Sequence, residues 1–182
     1  MSEAFEFVLR VFGVEPLVGF VDESFLRLDP CRRRVLGTRV VVYDGVRRGV
    51  SVFGFLCLGG RDVVMVSERA RVCDMVSFLE VVRGLNGSRP LVVVLDNARV
   101  HHARVVCERA RELGVVFVYL PPYSPDLNPI EFGWRDLKRE LSRFLGFDEM
   151  VGSCVSVGLR LFGERKFSYT NRWVEKFVKA KS

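Results

Sequence analysis

The sequence has few of the soft ligands from which proteins build zinc centres or disulfide frameworks. It contains five cysteines, an odd number and widely spaced, and only two histidines. No CxxC pair and no cluster of cysteine with histidine occurs. We therefore predict reduced, mostly buried thiols and no zinc site. The thiols belong to Cys31, Cys57, Cys73, Cys107 and Cys154.

Long apolar runs are also missing. No stretch approaches the roughly 20 consecutive apolar residues that a transmembrane helix needs. Residues 1–16 carry three glutamates and no extended apolar segment, which argues against a signal peptide. The expectation is a cytoplasmic protein without a membrane partner.

Lysine is scarce, with five residues against 23 arginines. The net charge is nevertheless +6, because arginine is so abundant. A positive chain predicts an anionic partner, and the planar guanidinium group suits phosphate contacts. Charge alone does not distinguish nucleic acid from an acidic membrane surface.

Two apolar runs predict buried strands in a chain of one-domain size. With 182 residues, a chain can bury about 70% of its unfolded surface. The runs LVGFVD (17–22) and LVVVLD (91–96) indicate strands covered on both faces. They end at Asp22 and Asp96, where sheet-edge active sites are built. An aspartate at such a position can also simply cap the next turn.

The stretch from Val115 to Leu145 predicts a strand, a proline-rich loop and an amphipathic helix. Asn128 is a candidate N-cap, Pro129 suits the first helical position, and Glu131 lies in the first turn. The apolar face would contain Ile130, Trp134, Leu137, Leu141 and Leu145, and the polar face Glu131, Arg135, Lys138 and Ser142. Glu131 suits a metal site, but a capping box with Asn128 or a surface ion pair with Arg135 remains an alternative.

The order of the predicted elements indicates an α/β protein with a mixed sheet. The first strand, Thr38 to Tyr43 and Gly49 to Leu58 would form an antiparallel meander, which Val63 to Val66 can extend. Further strands are predicted at Leu91 to Leu95 and Val115 to Tyr119. Predicted helices cover Arg71 to Leu85, the NARVHHA segment to Leu113, and Glu149 to Phe162.

Three blocks resemble the catalytic motifs of the mariner superfamily of DDE transposases, in its prokaryotic insertion-sequence branch. They are FVDES (20–24), LDNARVHHA (95–103) and YLPPYSPDLNPIEFGWRDLK (119–138), and 34 residues separate Asp96 from Glu131. The resemblance implies a ribonuclease H-like α/β fold, a mixed five-stranded sheet with helices on both faces. It also implies metal-dependent hydrolysis of DNA at transposon ends, followed by strand transfer into target DNA in cut-and-paste movement.

By this resemblance Asp22, Asp96 and Glu131 would be the catalytic metal ligands for two ions, Mg²⁺ or Mn²⁺, which prefer oxygen donors. Asp22 would bridge both ions. Asn97 would support the site by orienting Asp96, and His101 by contacting the scissile phosphate or a metal-bound water. Asn97 can instead cap a helix, and His101 can be a surface or internally satisfied residue. Glu23 belongs to the first block without an evident partner.

The expected partner is double-stranded DNA, at both the transposon ends and the target. Candidate DNA-binding residues are Arg32, Arg33, Arg34, Tyr123, Ser124, Arg135 and Lys138. A homodimer in the synaptic complex is implied. Residues 1–16 predict a short helix or remnant, 17–162 the catalytic domain and 163–182 a basic tail. Because residues 1–16 are too few for a helix-turn-helix pair, a separate helix-turn-helix polypeptide is a further expected partner.

Two other functions fit the same residues. One is a ribonuclease H-like nuclease that cleaves DNA without strand transfer. The other is a catalytically inactive DNA-binding remnant that keeps the fold and the charge. The three acids favour catalysis, whereas the short N-terminal segment favours the remnant.

Overall fold

The computed structural model describes residues 15–27, 32–35, 38–41, 48–122, 124–144 and 146–177, with the backbone alone for 32–35, 38–41, 125 and 172–177. The strands are β1 (Leu17–Arg27), β2 (Arg32–Val35), β3 (Thr38–Val41), β4 (Gly49–Leu58), β5 (Val63–Ser67), β6 (Leu91–Leu95) and β7 (Val115–Tyr119). The α-helices are α1 (Val72–Asn86), α2 (Arg104–Glu112), α3 (Ile130–Leu141) and α4 (Phe147–Phe177). Short 3₁₀ helices lie at Arg99–His102 and Pro125–Leu127.

The main sheet has five strands in the order β5-β4-β1-β6-β7. Strand β1 runs parallel to β6, and β6 runs parallel to β7. On its other side β1 is antiparallel to β4, which is antiparallel to β5. The sheet is therefore mixed and five-stranded, as predicted.

The predicted meander is wrong in one member. Strand β1 pairs directly with β4, from Val18 opposite Leu58 to Arg27 opposite Gly49. Strand β3 pairs instead with β2 in a separate two-stranded sheet. The physical reason lies in composition, because a central strand is covered on both faces. Strand β4 is apolar and buried along nearly its whole length, whereas β3 would place Arg39 in the interior.

Helices cover both faces of the sheet, as predicted. On one face the sheet side chains Phe20, Val52 and Val94 form a core with residues from α3 and α4. On the other face Val21, Phe53 and Val93 form a core with residues from α1 and α2. Successive residues of β1 thus enter different cores, which follows from the alternation of side chains along a strand.

Local sequence signals set most helix ends. In the first turn of α1, the Asp74 carboxylate accepts a 2.9 Å hydrogen bond from the backbone N–H of Arg71. Glycines with positive φ follow α1 and α2, Gly87 at 66° and Gly114 at 65°. The second predicted helix is divided, because Ala103 has an extended backbone between the 3₁₀ turn at Arg99–His102 and α2.

Helix α4 is longer than the predicted span of Glu149 to Phe162. It continues through Gly163, and Tyr169 and Thr170 are buried beyond it. Packing of Tyr169 into the core that contains α3 extends the helix into the basic tail. The division of the chain at residue 162 stays a prediction. The predicted N-terminal helix lies outside the described residues.

The four described cysteines are free thiols, and Cys31 lies outside the described residues. Cys57 and Cys154 are buried, Cys107 is partly exposed and Cys73 is exposed. Burial raises the pKa of Cys57 to about 11 and that of Cys154 to about 12. No helix within the described residues combines the length and apolar character that a membrane span requires.

Candidate active site

The fold brings the three predicted acids to one cleft. The parallel pairing of β1 with β6 reaches Phe20 opposite Val94. Two residues further along the chain lie Asp22, still within β1, and Asp96, which directly follows β6. Glu131 enters from the first turn of α3. The cleft has a volume of about 430 Å³. Its lining residues are Asp22, Asp96, Asn97, Ala98, Leu120, Pro121, Pro122, Ser124, Asn128 and Glu131.

Asp22 is the most deeply placed of the three acids, with 9% of its surface exposed. Its Oδ2 atom accepts a 2.9 Å hydrogen bond from Nε1 of Trp134. Burial, together with the negative charges of Glu131, Glu23 and Asp96, raises the pKa of Asp22 to about 7, and the hydrogen bond from Trp134 offsets only part of this rise. A carboxylate with these neighbours favours a bound cation.

Trp134 reaches Asp22 because the facing residue of β4 is a glycine. Asp22 pairs with Gly54 across the two strands. A Cβ atom at Gly54 would lie 2.5 Å from the Trp134 ring and 2.9 Å from Ile130. The prediction that Trp134 is a core residue is confirmed, since it is 2% exposed. Its hydrogen bond to a candidate catalytic acid was not predicted.

Glu131 and its polar neighbours on α3 are exposed, as the helical pattern predicted. Partial burial in the cleft raises the pKa of Glu131, Lys138 lowers it and Asp96 raises it again. In the part of the chain that the structure describes, no ion pair joins Glu131 to Arg135. The guanidinium of Arg135 lies instead 5.2 Å from the centre of the Phe132 ring.

The predicted N-cap role of Asn128 is wrong, as is the capping box. Pro129 occupies the cap position without a side-chain hydrogen bond. The Asn128 amide points to the sheet, where its Nδ2 atom donates to the Val21 carbonyl at 3.4 Å. Its Oδ1 atom is buried and has no hydrogen-bond partner among the described residues. Because buried acceptors are normally paired, this atom marks a place on the cleft wall for a donor group.

His101 is wholly buried and joins two acids. Its Nδ1 atom forms a hydrogen bond of 3.2 Å with the backbone carbonyl of Asp96 and also lies 2.9 Å from Oδ1 of the Asp96 side chain. Its Nε2 atom lies 3.0 and 3.1 Å from the two carboxylate oxygens of Glu23. Burial opposes protonation, but Glu23 and Asp96 outweigh it and raise the pKa of His101. Glu23, which had no evident partner in the sequence, therefore has His101.

The His101 ring is 0% exposed, so it contacts Asp96 in place of the phosphate or water that the resemblance implied. Its supporting role stays a prediction. Asn97 also differs from expectation, because its Nδ2 atom donates to the Leu120 carbonyl. This bond links the segments that follow β6 and β7. Asn97 therefore does not donate this hydrogen bond to Asp96, which has other partners. Neither helical segment that follows is capped by Asn97.

The structure describes the side chains of three predicted DNA-binding residues, Ser124, Arg135 and Lys138. Ser124 lines the cleft, with its Oγ atom donating to the Pro122 carbonyl at 3.3 Å. Arg135 and Lys138 lie exposed on α3, beyond Glu131. The backbone of Arg32, Arg33 and Arg34 forms β2, and their side chains are outside the description. Tyr123 lies outside the described residues.

The donor set fits hard divalent cations. All three acids offer carboxylate oxygens, which are the ligands of Mg²⁺ and Mn²⁺. Within the described residues, no group of three or more His, Cys, Asp or Glu side chains is gathered closely enough to enclose one ion.

Sequence patterns missed three residues that contribute contacts to the site: Trp134, Gly54 and Glu23. One signal was available for Gly54, because a glycine within the apolar strand GVSVFGFLCL often marks a close approach by another group. No sequence signal pairs Trp134 with Asp22 or Glu23 with His101. These contacts join elements that are distant in the chain.

Comparisons with solved structures show the fold. Mos1 transposase, in a paired-end complex with the left transposon end, has a TM-score of 0.58 and 17% identity over 81% of this chain and 52% of that chain. The HTLV-2 integrase catalytic core domain, in complex with magnesium, has a TM-score of 0.50 and 14% identity over 75% and 81%. These likenesses confirm the ribonuclease H-like α/β fold.

A chain of the simian T-cell lymphotropic virus intasome has a TM-score of 0.53 and 15% identity, over 79% of this chain and 47% of that chain. The present chain thus spans about half the length of the intasome and Mos1 chains. A comparison with curated protein sequences finds no match. The family model described as DDE superfamily endonuclease matches residues 17–150, which include all three acids. The chain therefore belongs to the DDE superfamily endonucleases.

Proposed function

We propose that this chain is the catalytic domain of a transposase of the mariner superfamily, in its prokaryotic insertion-sequence branch. It would hydrolyse DNA phosphodiesters at transposon ends and join the freed 3′-hydroxyl to target DNA. The observation that carries the proposal is the single cleft lined by Asp22, Asp96 and Glu131. The three acids come from β1, from the residue after β6 and from α3, and their mutual repulsion favours a cationic partner.

Asp22, Asp96 and Glu131 would together hold two Mg²⁺ or Mn²⁺ ions. Such ions supply activation of the attacking oxygen and stabilisation of the leaving oxygen. The protein supplies orientation: Trp134 binds Oδ2 of Asp22, and the N–H of Ala98 binds Oδ1 of Asp96 at 2.9 Å. Glu131 is fixed by its place in the first turn of α3.

Double-stranded DNA is the proposed substrate. The chain carries a net charge of +6, and Arg135 and Lys138 extend from α3 next to Glu131, where they can contact backbone phosphates. Ser124 on the cleft wall, Tyr123, and Arg32, Arg33 and Arg34 of β2 are further proposed contacts. Mos1 transposase binds a transposon end in its paired-end complex, which supports this substrate class.

The assembly would be a homodimer that acts in the cytoplasm of a prokaryote, at the nucleoid. Support for the dimer comes from the HTLV-2 integrase core, which has a solved dimeric form. Recognition of the transposon ends would require a further element, because the Mos1 chain is about twice as long as the part matched here. We assign that task to a helix-turn-helix segment or to a separate helix-turn-helix polypeptide.

The test is Mn²⁺-dependent nicking and joining of a labelled duplex that carries the element's own end. The wild-type chain is compared with Asp96→Asn and Glu131→Gln, and with Glu149→Gln as a control for loss of an exposed carboxylate. Glu149 lies in the first turn of α4 and does not line the cleft. We expect activity in the wild type and the control, and none in the two cleft variants.

A pre-cut end offered as substrate separates the remaining functions. Joined products support the transposase, whereas nicking without joining would identify a nuclease that lacks strand transfer. DNA binding without either reaction, by a folded wild-type chain, would identify an inactive remnant.

A further inference from the structure

His101 and Glu23 form a buried link beneath the cleft. Strand β1 alternates, so Asp22 faces α3 while the adjacent Glu23 faces the opposite side of the sheet. There the Glu23 carboxylate meets Nε2 of His101 at 3.0 and 3.1 Å. The other ring nitrogen meets Oδ1 of Asp96 at 2.9 Å. One imidazole therefore connects Glu23, within β1, to Asp96, which directly follows β6.

The imidazole is held rigidly. Its ring is fully buried. Nε2 faces the Glu23 carboxylate, while Nδ1 faces both the backbone carbonyl of Asp96 at 3.2 Å and the Asp96 carboxylate. All of these oxygens can only accept, so the ring donates to both sides through its two N–H groups. The backbone of His101 is fixed as well, because its carbonyl accepts a 3.0 Å hydrogen bond from the hydroxyl of Tyr119. Its N–H donates to the Ala98 carbonyl at 3.0 Å.

Asp96 needs such support more than Asp22 does. The Asp96 side chain is 53% exposed and follows the last residue of β6. Its Oδ1 atom is held from two sides, by the N–H of Ala98 at 2.9 Å and by His101. Among the described residues, no partner holds Oδ2. The carboxylate is thereby fixed through one oxygen, which leaves the other available to the cleft.

We propose that Glu23 and His101 are positioning residues that set the orientation of the Asp96 carboxylate for metal binding. The inference rests on the proposed function, since it assigns a role at the same site. Residues that hold ligating carboxylates typically change metal affinity or activity 10 to 100-fold when mutated, roughly. A purely structural link between β1 and β6 would instead change only the stability of the fold.

Two substitutions at His101 separate these roles. The amide nitrogen of asparagine lies two bonds beyond Cβ, like Nδ1, so His101→Asn keeps a donor toward Asp96. The amide nitrogen of glutamine lies three bonds beyond Cβ, like Nε2, so His101→Gln keeps a donor toward Glu23. Each His101 variant is also made as a double variant with Glu23→Gln. In the double variants the Glu23 carboxylate, which would have lost its cationic partner, is replaced by a neutral amide, so that both double variants fold.

The readout is Mn²⁺ binding by isothermal titration calorimetry, with melting temperature and DNA nicking measured in parallel. We expect His101→Gln to weaken Mn²⁺ binding by about 10-fold or more, while His101→Asn stays much closer to the wild type. In the single His101 variants the change in charge has the opposite effect on Mn²⁺ binding. Loss of the positively charged ring makes the cleft more negative, which by itself would strengthen cation binding. Weaker binding therefore reports lost positioning.

Lys166→Met is the control for loss of a partly buried ion pair. Lys166 lies 2.8 Å from Asp62, and Asp62 binds the backbone of Cys57, which pairs with Gly19 toward the other end of β1. We expect this variant to melt earlier and to bind Mn²⁺ like the wild type.

Equal Mn²⁺ affinity in the two His101 variants, whether unchanged, weakened or strengthened, would overturn the inference while leaving the proposed function standing. A folded wild-type chain that does not bind Mn²⁺ would overturn the proposed function and this inference together.

Discussion

The indole of Trp134 donates a hydrogen bond of 2.9 Å to Oδ2 of Asp22. The same ring packs in the core between the sheet and α4, where its centre lies 5.8 Å from that of Phe162. One side chain thus belongs both to the hydrophobic core and to the candidate active site. Packing of α3 on the sheet is thereby coupled to the orientation of Asp22, the most buried of the three cleft acids.

Trp134→Phe should separate these two roles, because phenylalanine keeps an aromatic ring in the core but removes the indole N–H. We expect Mn²⁺ affinity and DNA nicking to fall by about 10-fold or more, as for other residues that hold ligating carboxylates. Calorimetric titration with Mn²⁺ and a nicking assay measure these effects.

Phe162→Leu is the matched control, since it perturbs the same core without touching Asp22. It should lower the melting temperature only, and an equal loss of Mn²⁺ affinity in both variants would contradict the assignment.

Gly54→Ala tests the close approach of Trp134 to β4. The added Cβ would lie 2.5 Å from the indole ring, so the ring must shift, and overpacking of this kind typically lowers the free energy of unfolding by about 1 to 3 kcal/mol. Urea unfolding measures the change. Gly152→Ala on α4 is the control, because nothing lies within 4 Å of its new Cβ. There the helix should gain about 0.5 to 1 kcal/mol. Similar changes in the free energy of unfolding for the two variants would show that the space around residue 54 can accommodate a methyl group.

The three acids and the mixed sheet were predictable because local patterns carry them. Asp22 and Asp96 end apolar runs, and Glu131 follows a proline at a helix start. A strand pattern, however, does not specify which strands pair. The sequence therefore predicted β3 beside β1, although β4 is the strand that can be buried on both faces.

The contacts that hold the acids were not predictable for a related reason. His101 lies 78 positions from Glu23 in the sequence, and Trp134 lies 112 from Asp22. Such pairs depend on how α3 and the turn after β6 pack on the sheet, which no local pattern encodes. Asn128 failed for the same reason, because its preference for the N-cap lost to a hydrogen bond with Val21 on β1.

Asp136 should make stability depend on acid pH. It is 3% exposed and accepts hydrogen bonds from Arg165 at 2.7 Å and Tyr169 at 2.8 Å. Burial alone would raise the pKa of Asp136, but these two partners outweigh it and hold the pKa below its ordinary value of 3.8. A lowered pKa in the folded state stabilises the protein above pH 4, and this contribution is lost as the pH falls below it.

We therefore expect Asp136→Asn to lower the free energy of unfolding by about 2 kcal/mol at pH 7, the usual range for hydrogen bonds to a charged group. The difference from the wild type should shrink as the pH falls below about 4. Urea unfolding at several pH values measures it. Asp148→Asn, at an exposed ion pair with Arg48, should stay within about 0.5 kcal/mol of the wild type. A difference at Asp136 that is constant down to pH 3 would contradict the prediction.

Asp22→Asn should raise the free energy of unfolding and abolish function. In the absence of metal, the Asp22 carboxylate is buried near Glu131, Glu23 and Asp96, and these surroundings raise its pKa to about 7. Because its folded pKa lies above the ordinary value of 3.8, ionisation at pH 8 destabilises the folded state. Asparagine removes that charge and still offers an oxygen to Trp134. At pH 8 we expect a free energy of unfolding higher by on the order of 1 to 3 kcal/mol, a common result when active-site strain is removed.

The same variant should lose its response to metal. Ligands that bind only the folded state stabilise it, by about 2.7 kcal/mol at 100 times the dissociation constant. Addition of Mn²⁺ should therefore raise the melting temperature of the wild type, while Asp22→Asn, already more stable, should change little. Thermal unfolding at pH 8 with and without Mn²⁺, with Glu149→Gln as control, measures both effects. A metal-dependent rise of equal size in Asp22→Asn would place the bound ion away from Asp22 and contradict the assignment of this acid as a metal ligand.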